Sequence, residues 1–514
     1  MMRGGNIRKI SFFLIAVILL CAMIGFSYWR DRVTCIGVEI LSEADLEKFT
    51  EYAHRDVAKD LFFNGEPAAV DVESCTIYIP QAITESTTPQ NMPGQLRLDA
   101  TRYQIYFAPD PQFGDLVAAA ETGHRFALYV TSGSQRYMKY DVVFTTLPVM
   151  RVDGEILREK DHWRNYMYGP LCLWHPNDPD TGRYSVRSSN AEWSIRGGFS
   201  TTMDKRSWRV SLKNKHGEKR DMAFAGLGAD DDWILNPMSL DDTFVKEKLA
   251  MQLWNEMAEQ SPWNYKMSMG EYVEVVMNGS YEGIHLLQRK IEADVIGASE
   301  EDILIKGILQ KAEGRQVSEV LEIVESPLDD ETTFGLAQGI LDYSNCDIMS
   351  LENFIDVQLF LDWLNAQDNI GYKNTYYVLK PAENGYQMVL VPWDTDMSLG
   401  VVWSAEINNF AYFLGCVDTI AAERMELKTM RQMYPELDAK MAKRWGELRE
   451  TIFSVAHEQE IVAALREQLE SSGALERDLQ RWGLVYGGED SIENLNRYLT
   501  ARFQWMDEKY AVAG

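Results

Sequence analysis

The sequence lacks the short motifs that mark the common metal and hydrolase sites. Its six cysteines form no C-x-x-C pair, which argues against a zinc or iron–sulfur site. Its seven histidines form no H-E-x-x-H motif, and no G-x-S-x-G nucleophile elbow occurs. Zincin-type metalloproteases and α/β-hydrolases are therefore disfavoured as function classes.

Positive charge is also scarce. The chain has 50 Lys and Arg against 78 Asp and Glu, which gives a formal net charge of -28. Such a balance argues against DNA, RNA or anionic lipid as the main partner, so we predict no nucleic-acid partner. A solvated acidic surface and a basic protein substrate both explain the excess of acid, and the sequence leaves the two open.

Long apolar runs are rare as well, and the prominent one lies near the N-terminus. Residues 10–28 carry no charge and approach the roughly 20 residues that a helix needs to cross a bilayer. Basic residues precede this run and are expected to stay in the cytoplasm. We predict an uncleaved single-pass anchor in the cell membrane, with a cleaved signal peptide as the alternative. Either one places everything after Arg30 outside the cytoplasm.

Composition and pattern divide the chain into segments. At 514 residues it exceeds one typical domain. Alternating apolar residues predict a small β-rich accessory domain, followed by a core that mixes strands and helices and by a helical C-terminal part. The predicted fold class is therefore α+β. The predicted boundaries are 1–9 for the cytoplasmic N-terminus, 10–29 for the anchor, 34–145 for the β-rich domain, 147–404 for the core and 405–514 for the helical cap.

Local patterns predict individual elements of the core. The Asn278-Gly279 pair between two apolar strands is a strong hairpin signal. Asp241 or Asp242 is expected to be the N-cap of a helix. Glu247 on that helix fits either an ion pair with a lysine or a solvated helix face.

Residues 368–400 carry the most informative pattern. Asp368 follows an apolar helical run, Asn374 comes six positions later, and Asp394 closes a predicted strand–turn–strand unit. A kinase-type phosphotransferase needs this set: a carboxylate that deprotonates a hydroxyl, and an Asn and an Asp that hold a divalent cation on the phosphates. Asp396 is a candidate second ligand, because alternate residues of an extended chain share one side. The motifs H-R-D and D-F-G are absent from this stretch.

Basic residues upstream are candidates to neutralise phosphate charge, namely Arg196, Lys205, Arg209 and Lys213. Gly197 begins a two-glycine turn whose backbone N–H groups are able to approach a phosphate. An ordinary hairpin would explain the two glycines equally well.

Four blocks of sequence, in this order, resemble the CotH kinase family, the atypical kinases first known from bacterial spore coats. The blocks are I-R-G-G-F-S-T-T-M-D-K-R-S-W-R-V-S-L-K at 195–213, D-D-T-F-V-K-E-K-L-A at 241–250, V-E-V-V-M-N-G-S-Y-E-G-I-H-L-L at 273–287, and the Asp368, Asn374 and P-W-D-T-D set that ends at 396. The likeness covers roughly residues 147–510.

The resemblance implies an atypical protein-kinase-like fold with a helical C-terminal cap. It implies transfer of the γ-phosphoryl group of ATP, with Mg²⁺ or Mn²⁺, to Ser or Thr of a secreted or cell-surface protein. By the same likeness, the nucleotide-binding residues are Arg196, Gly197, Ser200, Lys205 and Arg209. Lys205 and Arg209 are the candidates for the kinase lysine, and the sequence does not choose between them.

The chain departs from the family pattern at two places. Arg289 stands where many members have Glu, and Lys246-Glu247 stand where Arg and Asn or Asp are usual. Neither departure touches the Asp-Asn-Asp set. A non-catalytic surface protein that keeps the fold as a binding scaffold is the alternative function.

Overall fold

The computed structural model describes most of the chain after residue 39. The described residues are 40–48, 50–51, 58–88, 98–100, 103–131, 136–160, 164–198, 201, 203–308, 316–341, 346–366, 368–369, 373–383, 385–404, 409–412, 425–483 and 491–511. The predicted anchor at 10–29, its cytoplasmic flank at 1–9 and the predicted nucleotide-binding Ser200 lie outside them. Within these ranges, no helix is both long and apolar enough to cross a membrane.

Two compact units, divided between Thr145 and Thr146, make up the chain. The described residues of the first unit are rich in strands and include two short α-helices. Its elements are α1 Glu43–Leu46, β1 Thr50–Glu51, β2 Leu61–Phe63, β3 Glu66–Pro67, β4 Ala69–Asp71, β5 Thr76–Pro80, β6 Leu98–Ala100, β7 Gln104–Phe107, α2 Leu116–Glu121, β8 Phe126–Thr131 and β9 Arg136–Thr145. A six-stranded sheet runs β4-β5-β9-β8-β7, with β1 also paired to β9, and a smaller sheet runs β3-β2-β6. Alternate residues such as Leu128 and Val142 form its core.

The second unit begins with a sheet that closes on itself. The strands in this part of the chain are β10 Val149–Val152, β11 Glu155–Lys160, β12 Arg164–Asp178, β13 Arg183–Ile195, β14 Trp208–Lys213, β15 Met222–Ala223, β16 Ala229–Asp230, β17 Asp232–Asn236, β18 Gly270–Met277 and β19 Ser280–Arg289. Of these, β15 and β16 form a separate two-stranded sheet. Strand β10 pairs with β18 on one side and with β12 on the other, so seven strands form a barrel in the order β10-β18-β19-β17-β14-β13-β12. Every second residue points inward, and Leu171, Trp193, Val210 and Trp233 fill the interior.

Helices and a second sheet complete this unit. Their bounds are α3 Lys246–Glu259, α4 Ala293–Ile296, β20 Ile303–Gly307, α5 Val317–Val320, β21 Leu321–Glu325, α6 Asp330–Leu341, α7 Leu351–Leu364, β22 Thr375–Ala382, β23 Gly385–Pro392, β24 Val401–Ser404, β25 Asn409–Tyr412, α8 Met425–Met433, α9 Leu437–Leu448, α10 Val455–Glu470, α11 Ala474–Trp482 and α12 Ser491–Lys509. The second sheet runs β21-β20-β22-β23. One apolar core joins α3, α7, this sheet and the C-terminal helices.

The mixture of helices and strands, with helices at the C-terminus, agrees with the predicted α+β class. The Asn278-Gly279 hairpin forms as predicted, with both residues in the left-handed region at φ 50° and 74°. Among the described residues of the predicted helical part at 405–514, one segment differs from the prediction: Asn409–Tyr412 form the strand β25, and the described helices follow from Met425 onward.

The start of α3 differs from the prediction too. The helix begins at Lys246 with Val245 as N-cap, so neither Asp241 nor Asp242 occupies that position. Asp241 still satisfies the helix terminus, because its carboxylate accepts a hydrogen bond of 2.9 Å from the Lys246 N–H. Residues 242–245 separate Asp241 from the first residue of the helix, and the spacing in the sequence does not show this separation.

Helix α7 is the central helix of the unit and is buried along most of its length. Ser350 caps its start, and Asn353 joins it to the second sheet by hydrogen bonds of 2.7 and 3.0 Å to the backbone of Leu390. It ends at Asn365, which adopts the left-handed conformation at φ 51°. The residues that follow this stop form the candidate active site.

Candidate active site

The β22–β23 hairpin and the end of α7 bring three predicted site residues together. Asn374 immediately precedes β22, and Trp393 immediately follows β23. Because Thr375 pairs with Pro392, these two ends are neighbours, and the Trp393 N–H donates to the Asn374 carbonyl at 2.9 Å. Asp394 is the next residue, so the hairpin register itself places it beside Asn374.

Hydrogen bonds join Asp368 to the same place. The Asn374 side-chain amide donates to Asp368 Oδ2 at 3.2 Å and to the Asp394 carbonyl at 3.4 Å. Lys373 forms an ion pair with Asp368. The structure therefore assembles Asp368, Asn374 and Asp394, the set predicted from the sequence.

The backbone at this point is unusual for non-glycine residues. Asn374 and Asp394 both lie in the left-handed region, at φ 56° and 55°. Such conformations cost free energy and concentrate at functional sites. They also correct one sequence argument: strand β23 ends at Pro392, so Asp394 and Asp396 do not alternate along an extended strand.

Asp396 nevertheless lies close enough to interact with the other acids. We call Asp368, Asp394, Asp396 and Glu247 the carboxylate cluster. Asp394 and Asp396 keep some exposure, but the surrounding protein removes much of their hydration, and this raises the pKa of both carboxyl groups. Repulsion within the cluster raises the pKa values further, to well above the usual range for Asp396.

Glu247 is part of the site and not of a solvated helix face. Its side chain is 5% exposed, and its carboxylate accepts hydrogen bonds from Asn236 at 2.6 Å and Gln288 at 3.4 Å. Burial, followed by the negative charge of Asp394, raises the pKa of Glu247 to about 7. The solvated interpretation is wrong because the first turn of α3 faces protein.

The donor set fits a divalent cation of the hard, oxygen-binding type. Among the described residues, no group of three or more His, Cys, Asp or Glu side chains has the geometry to hold a metal ion unaided. Mg²⁺ needs only one or two protein carboxylates when phosphate oxygens and water complete its shell. Asn374 and Asp394 meet that smaller requirement, and a cation beside them would relieve the repulsion in the carboxylate cluster.

A cavity of about 250 Å³, which we call the nucleotide cavity, is lined by Trp393 next to Asp394. Four cationic side chains line it, from Arg196, Arg209, Lys290 and Lys306. Apolar and aromatic residues supply most of the remaining wall, namely Trp233, Ile234, Ile291, Ile323, Val324 and Tyr376, and Glu322 is an acidic residue of the lining. A lining that combines cations with apolar and aromatic residues suits a ligand that has both phosphates and a planar ring.

Arg196 and Lys306 are cations of the cavity lining that interact with Asp394, and Lys373 does so as well. Each attracts the Asp394 carboxylate and opposes the increase of its pKa. Lys306 is half-buried on β20, with its Nζ 5.7 Å from the centroid of the Tyr376 ring. Desolvation and repulsion by Arg196 lower the Lys306 pKa. Arg196 was among the predicted residues, whereas Lys306 was missed.

The other predicted nucleotide-binding residues have different surroundings. Arg209 lines the nucleotide cavity and also forms an ion pair with Asp232 at 2.5 Å. Gly197 follows β13 at φ 99°, a conformation that favours glycine. Lys205 lies elsewhere: it is buried, its Nζ contacts Asp478 of α11 at 2.6 Å, and no described contact joins it to the carboxylate cluster.

Two further residues escaped the sequence argument or were interpreted through the family likeness. Asn369 is 3% exposed, and its side-chain amide donates to the carbonyls of Asn374 at 2.8 Å and Trp393 at 2.9 Å. In the sequence, only the position of Asn369 directly after Asp368 could have suggested a role in the site. Arg289, the departure from Glu, forms ion pairs with Asp230 and Asp294, each at 2.8 Å, so its charge is balanced locally.

A family model described as CotH kinase protein matches residues 193–506. The matched span runs from the end of β13 into α12 and contains the carboxylate cluster and the nucleotide cavity. A comparison with curated proteins finds no match to the chain.

Proposed function

The chain belongs to the CotH kinase family. From that premise we propose that it transfers the γ-phosphoryl group of ATP to a Ser or Thr hydroxyl of a protein. The observation that carries this proposal is the meeting of Asp368, Asn374 and Asp394 beside a cavity lined by four cations. Kinase-like enzymes need these parts, because their catalysis rests on positioning and on compensating phosphate charge.

In the proposed reaction, Asp368 binds the acceptor hydroxyl and takes its proton. The hydroxyl oxygen then forms a bond to the γ-phosphorus, the bond from that phosphorus to the β–γ bridging oxygen breaks, and ADP leaves. Lys373 and the amide of Asn374 both donate to Oδ2 of Asp368, which restricts the direction of the carboxylate. A positioned general base of this kind contributes roughly 10²- to 10⁴-fold.

The chain compensates the phosphate charge from two directions. Arg196 and Lys306 approach from the nucleotide cavity, and both already interact with Asp394. Asn374 and Asp394 would hold Mg²⁺ or Mn²⁺, which supplies positive charge to the phosphate oxygens when bound. Glu247 and Asp396 belong to the same carboxylate cluster, and a bound cation would favour their ionised forms because it opposes the repulsion that raises their pKa values.

The compartment is part of the proposal and rests on the N-terminal sequence. The uncharged run at 10–28, with basic residues before it, supports a single-pass membrane protein whose large part lies outside the cytoplasm. The acceptor is then a secreted or cell-surface protein. Protease added to cells with opened outer layers should digest the large part, and protection of that part would contradict this arrangement.

Incubation of the purified full chain with labelled ATP, Mg²⁺ or Mn²⁺ and a mixture of surface proteins tests the activity. Asp368→Asn should lower transfer roughly 100-fold or more and leave nucleotide affinity nearly unchanged, because this carboxylate acts on the acceptor. Asp394→Asn should weaken metal-dependent nucleotide binding as well. Asp438→Asn changes an exposed carboxylate on α9 in the same way and serves as the control.

Transfer at the wild-type rate by folded Asp368→Asn would refute the assignment of the base. If the wild-type chain neither transfers phosphate nor binds nucleotide with any divalent cation, the scaffold function replaces the kinase.

A further inference from the structure

A second cavity, of about 290 Å³, lies between the segment that precedes α3 and helix α11. We call it the acceptor cavity. Six apolar residues line it, namely Met203, Pro237, Met238, Phe244, Leu479 and Trp482. Its polar lining residues are Asp204, Lys205, Ser239, Asp241, Asp242 and Asp478. Met238 and Phe244 are buried, whereas Met203, Leu479 and Trp482 keep partial exposure and form its opening.

The buried charged groups on the wall of this cavity are already paired within the chain. Lys205 contacts Asp478 at 2.6 Å, and the same carboxylate oxygen of Asp478 accepts a hydrogen bond of 2.7 Å from the Ile284 N–H. Asp241 accepts hydrogen bonds of 2.9 Å each from the N–H groups of Thr243 and Lys246. These groups have their partners without a ligand, so the surface left to be covered is mainly apolar.

Packing of apolar side chains connects the acceptor cavity to the chain segment that carries Asp396. Met203 packs with Met397 against the small apolar group of Leu240 and Val401, and Met397 directly follows Asp396. Phe244 stands three residues before Glu247 in the chain. The acceptor and nucleotide cavities share no lining residue. A nucleotide in its own cavity therefore leaves this one open.

We propose that the acceptor cavity receives an apolar side chain (Leu, Met or an aromatic residue) of the acceptor polypeptide, next to the Ser or Thr that is phosphorylated. This inference rests on the proposed kinase function and adds to it the chemistry of the substrate. The volume suits one large side chain, and the apolar wall rewards its burial. Full burial of such a side chain corresponds to roughly 10- to 100-fold in kcat/KM relative to Ala at the same position.

A positional peptide library tests the inference. Each peptide has one central Ser, and every flanking position is varied among Ala, Leu, Phe, Gln and Lys. The wild-type chain should favour Leu or Phe over Ala at one position by the stated factor. Met203→Trp, which fills the cavity, should remove this preference. Met203→Ala, which enlarges it, should keep the preference and shift it to the larger side chains. The ratio within each variant is compared, so a general change in turnover cancels.

Binding provides a readout that does not need transfer. Calorimetry with the central Ser replaced by Ala, in the presence of Mg²⁺ and a non-hydrolysable ATP analogue, should show the same preference for Leu or Phe. Transfer without any apolar preference would overturn the inference and leave the kinase intact. A preference that survives in Met203→Trp would place the subsite elsewhere. Absence of both nucleotide binding and transfer would overturn the kinase function and this inference together.

Discussion

Replacement of Asn369 by Ala should separate the assembly of the active site from the stability of the fold. Asn369 is nearly inaccessible, and its amide donates to two backbone carbonyls, those of Asn374 and Trp393. One carbonyl belongs to a proposed metal ligand, and the other directly precedes Asp394. Asn369 is therefore a positioning residue that joins the loop of the base to the end of β23.

The expected loss of stability depends on which hydrogen bonds each of the two carbonyls retains in the variant. The Asn374 carbonyl retains a second donor, the N–H of Trp393 at 2.9 Å, so its loss is one hydrogen bond of about 0.5–1.5 kcal/mol. The Trp393 carbonyl has no second donor in the described part of the chain and becomes unsatisfied, which costs about 1–3 kcal/mol. The free energy of unfolding should fall by about 2–4 kcal/mol. Metal-dependent nucleotide affinity should fall roughly 10- to 100-fold, because the competent loop is then less populated.

Titration of the full chain with Mn²⁺ and nucleotide measures the affinity, and thermal melting measures the stability. Asn353→Ala is the matched control: Asn353 is also buried and also makes two hydrogen bonds to backbone, but at Leu390 within β23. It should lower the melting temperature to a similar extent with little effect on nucleotide affinity. Asn369→Ser, which keeps one donor, should be intermediate. Equal loss of affinity in the Asn353 and Asn369 variants would refute the positioning role.

Two further predictions follow from the charges. Lys306→Met should lower nucleotide affinity about tenfold or more. Lys205→Met should chiefly lower the melting temperature, because it leaves the buried Asp478 without its cationic partner. The opposite pattern would show that Lys205 is the phosphate ligand. Burial raises the pKa of Glu458 well above its usual range, so the folded chain keeps a proton that the unfolded chain releases. The free energy of unfolding should therefore fall as the pH rises above the unfolded-state pKa of about 4.3, and Glu458→Gln should remove this slope and raise the melting temperature at pH 7. Identical melting curves for both chains from pH 5 to 8 would contradict it.

The sequence predicts the part of the site whose residues lie close to one another in the chain. Asn374 and Asp394 flank one hairpin, so strand pairing alone brings them together, and Asp368 precedes Asn374 by only six residues. The Asn278-Gly279 hairpin was predictable for the same reason, since the turn residues themselves select the geometry.

The part that escaped depends on contacts distant in sequence. Lys306 stands in an ordinary apolar strand, and only the pairing of β20 with β22 places it beside Tyr376 and the nucleotide cavity. Family likeness placed Lys205 among the nucleotide-binding residues, but Lys205 forms an ion pair with Asp478, which lies 273 positions away in the chain. Glu247 was open to a solvated interpretation because helical periodicity does not show that the start of a helix is buried.

The site contains two groups of like charge, the carboxylate cluster and the cations of the nucleotide cavity, and this arrangement determines how its ligands should bind. Burial, and then repulsion from neighbouring carboxylates, raises the pKa values of Asp394, Asp396 and Glu247, and burial followed by the positive charge of Arg196 lowers the pKa of Lys306. The two groups of opposite charge attract each other where Arg196 and Lys306 interact with the Asp394 carboxylate. A nucleotide alone would bring phosphates towards the carboxylates, and a cation alone would bring positive charge towards Arg196 and Lys306. Only the complex of both matches both halves of the site, so each component should raise the affinity for the other, as linkage requires.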